Sequence, residues 1–351
     1  MIAILREQTY SHAMAKVAVL GASGYAGAEL LRFLAAHPEF EVTYATGDSA
    51  VGEQVADSYP SLAAAYPDLV YEAVDVDRAI RHDVVFLALP HGASGAVVPQ
   101  LVGKVGGIVD LGADFRLRDA ALYPQWYGEE HPAPELLGRF VHGIPELYRA
   151  EIKKQKLVAA AGCYPTAAAL ALAPLVQAGM IEPTGVIVDA ASGVSGAGKV
   201  PKPNTHFNTV DEDFTAYGLL THRHTPEMEQ ATGAQILFTP HLAPMNRGIL
   251  ATCYARPTAA TTTSAVLDIL HAAYADEPFV VVSERSPSTK ATLGSNAAHI
   301  TARYDDRTGW VMVICAIDNL GKGAAGQMVQ CANLIAGLPE ATGLTTAGVY
   351  P

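Results

Sequence analysis

Val17-Ala18-Val19-Leu20-Gly21-Ala22-Ser23-Gly24-Tyr25-Ala26-Gly27 decides how the chain is read. Four apolar residues make a short buried-strand run, and three glycines follow at intervals of three. Behind them Ala28, Leu30, Leu31, Leu34 and Ala35 recur at the three- and four-residue spacing of an amphipathic helix. The helix is expected to stop at His37-Pro38, and a second strand follows at 41–45. Strand, glycine loop, helix and strand form the first crossover of a parallel sheet. The glycines permit a tight turn and let a pyrophosphate approach the helix N-terminus, where unpaired N–H groups favour an anion. Gly21, Ser23, Gly24, Tyr25 and Gly27 are therefore candidate dinucleotide contacts. A plain tight turn is the competing reading; the flanking strand and helix favour the cofactor.

The second strand runs into Thr46-Gly47-Asp48-Ser49. NAD-binding folds place an acidic residue here for the ribose hydroxyls. Thr46 and Ser49 instead offer small hydroxyls to a 2′-phosphate, while Asp48 points the other way, so NADP is expected over NAD. Further buried-strand runs at 84–89 and 108–111 end in Pro90-His91-Gly92 and Gly112-Ala113-Asp114. The C-terminal ends of parallel strands are where open α/β sheets bind ligands, which makes Pro90 a candidate cofactor neighbour.

Beyond this region the pattern changes. Residues 123–137 are rich in proline, glutamate and aromatics and read as irregular. A strand at 157–161 enters Gly162-Cys163-Tyr164-Pro165-Thr166 and then a long Ala/Leu helix to about 179. Strands are expected at 186–190, 235–238, 249–255, 279–282, 299–304 and 310–317, with helices at 262–275 and 322–337. Many strands and few helices suggest a mostly antiparallel second sheet.

Composition bounds the function. A chain of 351 residues has room for two domains, and 50% hydrophobic with 17% charged residues excludes disorder. The net charge of −12 argues against nucleic-acid and anionic-membrane partners, which require basic patches. No apolar run approaches the ~20 residues of a membrane span. Four scattered cysteines make neither a disulfide framework nor a zinc site, and reduced thiols in the cytoplasm are the natural reading. Met14 offers a second start, which would make residues 1–13 an extension.

Cys163 stands between a strand and a helix whose first turn tolerates Pro165. A thiol there feels the positive end of the helix and is expected to have a lowered pKa, as suits a nucleophile. A buried core cysteine is the alternative, and it prevails for Cys253, Cys315 and Cys331. His222-Arg223-His224-Thr225-Pro226-Glu227 concentrates two imidazoles, a cation and a carboxylate. Either imidazole within reach of the thiol can exchange protons near neutral pH. Thr225-Pro226-Glu227 also reads as a helix start. A metal site built from His206, His222 and His224 lacks acidic ligands or a ligand-spaced motif, and no metal is expected. Ser192 to Lys199 forms a serine- and glycine-rich loop with an ammonium, an anion nest or a plain surface loop. Arg116 is suited to grip a carboxylate, or a surface partner. Asn319 precedes the last helix, where its amide can face a cofactor ring or simply shape a turn.

Taken together these stretches resemble the N-acetyl-gamma-glutamyl-phosphate reductases, relatives of aspartate-semialdehyde dehydrogenase. The resemblance is carried by GASGYAGAELLR (21–32), LALPHG (87–92), DLGADFRL (110–117), GIPELY (143–148), AGCYPTAA (161–168), SGVSGAGK (192–199), HRHTPE (222–227), PMNRGILAT (244–252), GSNAAH (294–299) and AIDNLGKGAAGQMVQ (316–330), in family order. It implies an α/β protein: a Rossmann-type dinucleotide-binding domain at 14–160 completed by 319–351, with an α+β catalytic and oligomerisation domain at 161–318. It implies NADPH-dependent reduction of an acyl phosphate to an aldehyde with release of phosphate, in arginine biosynthesis, by a cytoplasmic homodimer or homotetramer. Cys163 matches the nucleophile and His222 the acid/base. Arg116 matches a substrate-binding arginine. His224, Glu227, Ser192, Ser195 and Lys199 fall near the substrate, and Asn319 falls at a nicotinamide-facing position. The 122–149 stretch also resembles the lysine-pathway relative that acts on a carrier-bound aminoadipyl phosphate, but Tyr164-Pro165 and the 192–199 loop are arginine-type. Aspartate-semialdehyde dehydrogenase is disfavoured by the HRHTPE element. A non-catalytic NADP-binding regulator is disfavoured by retention of both Cys163 and His222.

Overall fold

Six parallel strands order the first layer, and their sequences say why. Residues 14–350 are described by the computed structural model; the expected extension at 1–13 lies outside them. β1 (Ala15–Leu20), β2 (Phe40–Ala45), β3 (Val84–Leu87), β4 (Gly107–Asp110), β5 (Val141–Gly143) and β6 (Leu157–Ala160) lie in the order β2-β1-β3-β4-β6-β5. All five pairings are parallel. The central strands are apolar without alternation because both faces are covered. On one face α1 (Tyr25–Ala35) and a C-terminal helix (Gly326–Ala336) bury Leu30, Leu31, Met328 and Val329 against Val17, Val19 and Phe86. On the other, Ala18, Leu20, Val85 and Leu87 meet α2 (Ala93–Leu101), Phe115 and Tyr123.

The stretch read as irregular at 123–137 contains two helical pieces, Leu122–Tyr127 and Pro134–Arg139. Tyr123 and Leu137 are buried in the second-face core, and that burial organises the segment. Pro124 and Pro134 each fall in a first turn, where the missing N–H has no intrahelical partner to lose.

The second sheet contains β7 (Val186–Ser192), β8 (Thr215–Ala216), β9 (Ile236–Leu242), β10 (Ile249–Ala255), β11 (Val280–Val282), β12 (Ala298–Asp305) and β13 (Trp310–Ile317), ordered β11-β12-β13-β10-β7-β9-β8. Four of its six pairings are antiparallel, while β11/β12 and β7/β9 are parallel. A parallel β7/β9 pair needs a crossover, and the long 193–235 connection with its own helix supplies it. β9 also runs past Pro240, farther than the sequence suggests. Among the described residues the two-residue β8 lies outside it, pairing with His241 and Leu242; Tyr217 next to it donates its N–H to the Pro240 carbonyl at 3.1 Å, and the absent Pro240 N–H forgoes only the reciprocal bond at this edge. α3 (Cys163–Gln177) and α5 (Thr263–Ala273), with α4 (His224–Thr232) alongside α3, cover one face. The other face alternates out to half-buried residues such as Ile187, Leu250 and Ile314, and Leu237 is exposed. No described helix is long and apolar enough to cross a membrane.

Two connections bring the layers together. β6 ends the first sheet and leads directly into α3, so Cys163 stands at the junction. After β13 the chain makes a π-helical turn, Gly321–Ala325, before α6 (Gly326–Ala336) returns to the first sheet. Gly323 is required there: a Cβ on it would lie 2.7 Å from the Cys163 Cβ.

Candidate active site

The site is assembled around one turn. Gly162 donates its N–H to Glu227 Oε1 at 2.8 Å, and its carbonyl accepts both the N–H and the Oγ1 of Thr166 at 2.9 Å. These bonds fix the first turn of α3 and with it Cys163. Glu227, in the first turn of α4, is fully buried; its second oxygen faces Arg116 Nη1 at 3.3 Å. Arg116 is buried too, donating from Nη2 to the Leu111 carbonyl at 2.6 Å and placing Nη1 3.4 Å from His224 Nε2. A Cβ on Gly162 would lie 2.6 Å from His224 Nε2 and 2.7 Å from Arg116 Nη1. Only glycine lets the imidazole and guanidinium press against the cysteine turn.

His222 stands one ring farther out. Its ring is edge-on to Tyr164, Tyr217, Phe238 and His224, with centroids 4.8–5.7 Å away. Its Nδ1 accepts the His224 N–H at 3.1 Å, so the neutral ring carries its proton on Nε2. Burial, then the Arg223 charge, push its pKa down to about 4. Burial likewise holds His224 well below the usual range, helped by His222, Arg116 and Arg223. Both rings are neutral near pH 7.

The expected acidic thiol is not found. Burial pushes Cys163 up to about 11, although the Tyr164 N–H and Arg116 act the other way; Glu227 adds to the rise. The helix terminus contributes as anticipated, but desolvation of the thiolate outweighs it.

The glycine loop fits a dinucleotide. Gly21 has φ +88° and lies so close to β3 that a Cβ would meet the Ala88 carbonyl oxygen at 2.5 Å. At Gly24 the nearest atom is 3.8 Å away, which leaves the helix N-terminus open to a pyrophosphate. Ser23 is half-buried, and Tyr25, Ser49 and Pro90 are exposed.

Several expected contacts have other work in the structure. Thr46 is buried and its Oγ1 accepts the Gly21 N–H at 3.0 Å, so it shapes the loop rather than meeting a 2′-phosphate. Glu227, read as a substrate contact, is buried behind Gly162 and Arg116 and holds them. Asn319 is buried with both amide atoms engaged, accepting the Gly248 N–H at 2.7 Å and donating to Ser195 Oγ at 3.0 Å, so its carboxamide ties together the loops at 195 and 248. Ser192 Oγ donates to the Gly193 carbonyl, and the N–H groups of Gly196 and Gly198 close onto Gly193 and Ser195. The 192–198 loop is thus internally bonded and does not present an anion nest. Lys199 is exposed and lies at the glycine loop, 3.4 Å from the Ser23 carbonyl and over the Tyr59 ring, not at Cys163.

Three neighbours escaped sequence reading. His142 is buried, with Nε2 3.6 Å from Glu227 Oε1. Tyr217 donates its hydroxyl to Tyr164, which donates in turn to the His241 carbonyl. Arg247 bridges Glu29 and Asp318. All three lie in stretches with no local spacing signal, and only the PMNRG segment drew notice.

Comparison with known proteins places these features in a context. Residues 16–155 match the model described as semialdehyde dehydrogenase, NAD binding domain, and residues 163–319 match semialdehyde dehydrogenase, dimerisation domain. The chain is 49% identical over 346 residues to the N-acetyl-gamma-glutamyl-phosphate reductase of Symbiobacterium thermophilum, covering 96% of this chain and 99% of that one. It is 47% identical over 347 residues to the enzyme of that name from Geobacter sulfurreducens, covering 96% and 100%. Among solved structures, aspartate semialdehyde dehydrogenase II of Vibrio cholerae, complexed with ASA, superposes with a TM-score of 0.68 at 16% identity, over 93% of this chain and 99% of that one. Aspartate semialdehyde dehydrogenase of Candida albicans with NADP gives the same TM-score at 16% identity, covering 92% and 98%. At that identity these structures establish the fold alone.

Proposed function

Since the chain belongs to the N-acetyl-gamma-glutamyl-phosphate reductase family, we propose that it reduces N-acetyl-L-glutamyl 5-phosphate to the 5-semialdehyde through a thioester on Cys163. The observation that carries this reading is the convergence of Cys163, His224 and Arg116 on the Gly162 turn, with His222 beside them.

The Cys163 sulfur attacks the acyl carbon and the C–O bond to phosphate breaks. The thiol proton leaves with the phosphate as hydrogen phosphate, so a thiol held near 11 suits a leaving group that needs a proton. Arg116 offsets the negative charge on sulfur and is the guanidinium suited to a substrate carboxylate. Bound NADPH supplies the hydride that the thioester carbon accepts. His222 holds its Nε2–H against the oxygen that then carries negative charge, acting as the acid/base at that atom. When the carbonyl re-forms, the C–S electron pair returns to sulfur, which regains a proton from solvent.

His224 and Glu227 position rather than react, holding Arg116 and the Gly162 turn. Gly21, Gly24 and Gly27 hold the cofactor pyrophosphate, with Ser23, Tyr25 and Pro90 around it. Ser49 and Lys199 are suited to its phosphates. Residues 14–160 with 319–351 form the cofactor domain and 161–318 the catalytic one. The half-buried face of the second sheet supports a homodimer or a homotetramer, and the reaction is assigned to the cytoplasm. The test is phosphate-dependent NADP⁺ reduction with N-acetylglutamate 5-semialdehyde, against aspartate semialdehyde and an aminoadipate semialdehyde derivative. Preference for either of the latter, or no turnover, would overturn the reading.

A further inference from the structure

Arg247 sits between the two layers. Its Nη1 and Nη2 donate to the two oxygens of Glu29 at 3.0 and 2.6 Å, and its Nε and Nη2 donate to Asp318 Oδ1 at 3.1 and 3.0 Å. Glu29 lies in α1, two residues beyond the last glycine of the cofactor loop, and is buried. Arg32 Nε and Nη2 also donate to Glu29, at 3.0 and 2.7 Å. Asp318 is fully buried and accepts the Leu320, Gly321 and Gly294 N–H groups as well. The neighbouring pair is joined in the same way: Asn319 accepts the Gly248 N–H. Residues 247–248 are thus zipped to residues 318–319, and the π-helical turn that follows packs Gly323 against Cys163. One guanidinium thereby joins the helix behind the cofactor loop to the turn behind the nucleophile.

We propose that Arg247 is a positioning residue that sets the register between the cofactor loop and Cys163. The proposal rests on the reductase reading above. Two forked contacts on one planar cation constrain both orientation and distance, which an ammonium cannot do. A small error in register slows a reaction between two bound groups by about a hundredfold while leaving the nucleophile's own reactivity nearly intact.

The test compares Arg247→Met and Arg247→Lys with the unsubstituted enzyme. Four quantities are read: turnover of N-acetylglutamate semialdehyde with NADP⁺ and phosphate; the isotope effect on turnover with deuterium at the aldehyde carbon; the NADP⁺ dissociation constant; and alkylation of Cys163 by iodoacetamide. For Arg247→Met, turnover falls about a hundredfold and the isotope effect rises. Alkylation stays within about twofold, NADP⁺ affinity weakens about three- to tenfold, and Arg247→Lys recovers part of the loss. Unchanged turnover, an isotope effect that does not rise, or turnover and alkylation lost in parallel would overturn the proposal, the last marking a merely structural role. If the unsubstituted enzyme binds NADP⁺ yet turns over no semialdehyde, the reductase reading fails instead. Unchanged NADP⁺ affinity in Arg247→Met would then overturn the bridge separately.

Discussion

Replacing Glu227 with glutamine separates its two roles. The carbonyl of the new amide can still accept the Gly162 N–H that Oε1 holds at 2.8 Å. Its NH₂ replaces the oxygen that faces Arg116 Nη1 at 3.3 Å, so a buried donor meets a buried donor. Arg116 keeps only the Leu111 carbonyl and its approach to His224. Breaking one side of a buried ion pair costs ~3–5 kcal/mol, and the retained Gly162 bond puts Glu227→Gln at the lower end. The chemical effect has the opposite sign. The Glu227 charge helps push the Cys163 thiol up to about 11, and Arg116 pulls it down. Removing a like charge from beside a titrating group shifts it by about one unit, so the thiol becomes more acidic. At pH 8 its ionised fraction rises from about one in a thousand to about one in a hundred. The assay is the rate of iodoacetamide alkylation at Cys163 against pH, with thermal unfolding on the same samples. The expected variant is less stable and alkylates about ten times faster. A folded variant that alkylates no faster would refute the claim that the Glu227 charge adds to the rise of the thiol's pKa.

Cys163→Ser loses turnover by at least about two orders of magnitude while NADPH binding, measured by fluorescence titration, is retained; near-normal turnover would exclude a thioester. His222→Asn slows turnover about a hundredfold with little change in KM, and a much larger loss in His224→Asn would exchange their roles. Acid should also destabilise the fold through His142, whose pKa burial pushes down to about 4. The unfolded chain binds that proton near 6.5 and the folded one near 4, so the contribution is full above 6.5 and is lost as pH falls toward 4. It amounts to about 3 kcal/mol, and His142→Gln should flatten the loss of stability between pH 6.5 and 4; an unaltered slope would assign it elsewhere.

What could be read from the chain was local. The Gly21–Gly27 loop, its strand and its helix occupy one continuous stretch, and spacing alone identifies them. Cys163 was found because a strand, a glycine and a helix meet at it. The burial of Thr46 against Gly21, the Glu227 bond to Gly162 and the Asn319 bond to Gly248 join residues far apart in sequence, and no local spacing encodes them. The thiol illustrates the limit: the helix terminus is visible in the sequence, but the desolvation that outweighs it is a property of packing. The parallel β7/β9 pair escaped for a similar reason, because pairing direction depends on where a 43-residue connection crosses the sheet, not on the strands themselves.

The central claim is a covalent acyl group on Cys163 that phosphate releases. Enzyme, NADP⁺ and N-acetylglutamate 5-semialdehyde are mixed with phosphate omitted, and both NADPH absorbance and intact mass are followed. The account predicts one equivalent of NADPH per active subunit, then a halt. The chain then carries one N-acetylglutamyl group, mapped to the peptide containing Cys163, and added phosphate restarts turnover. Continuous turnover without phosphate, or an adduct on any other residue, would contradict it.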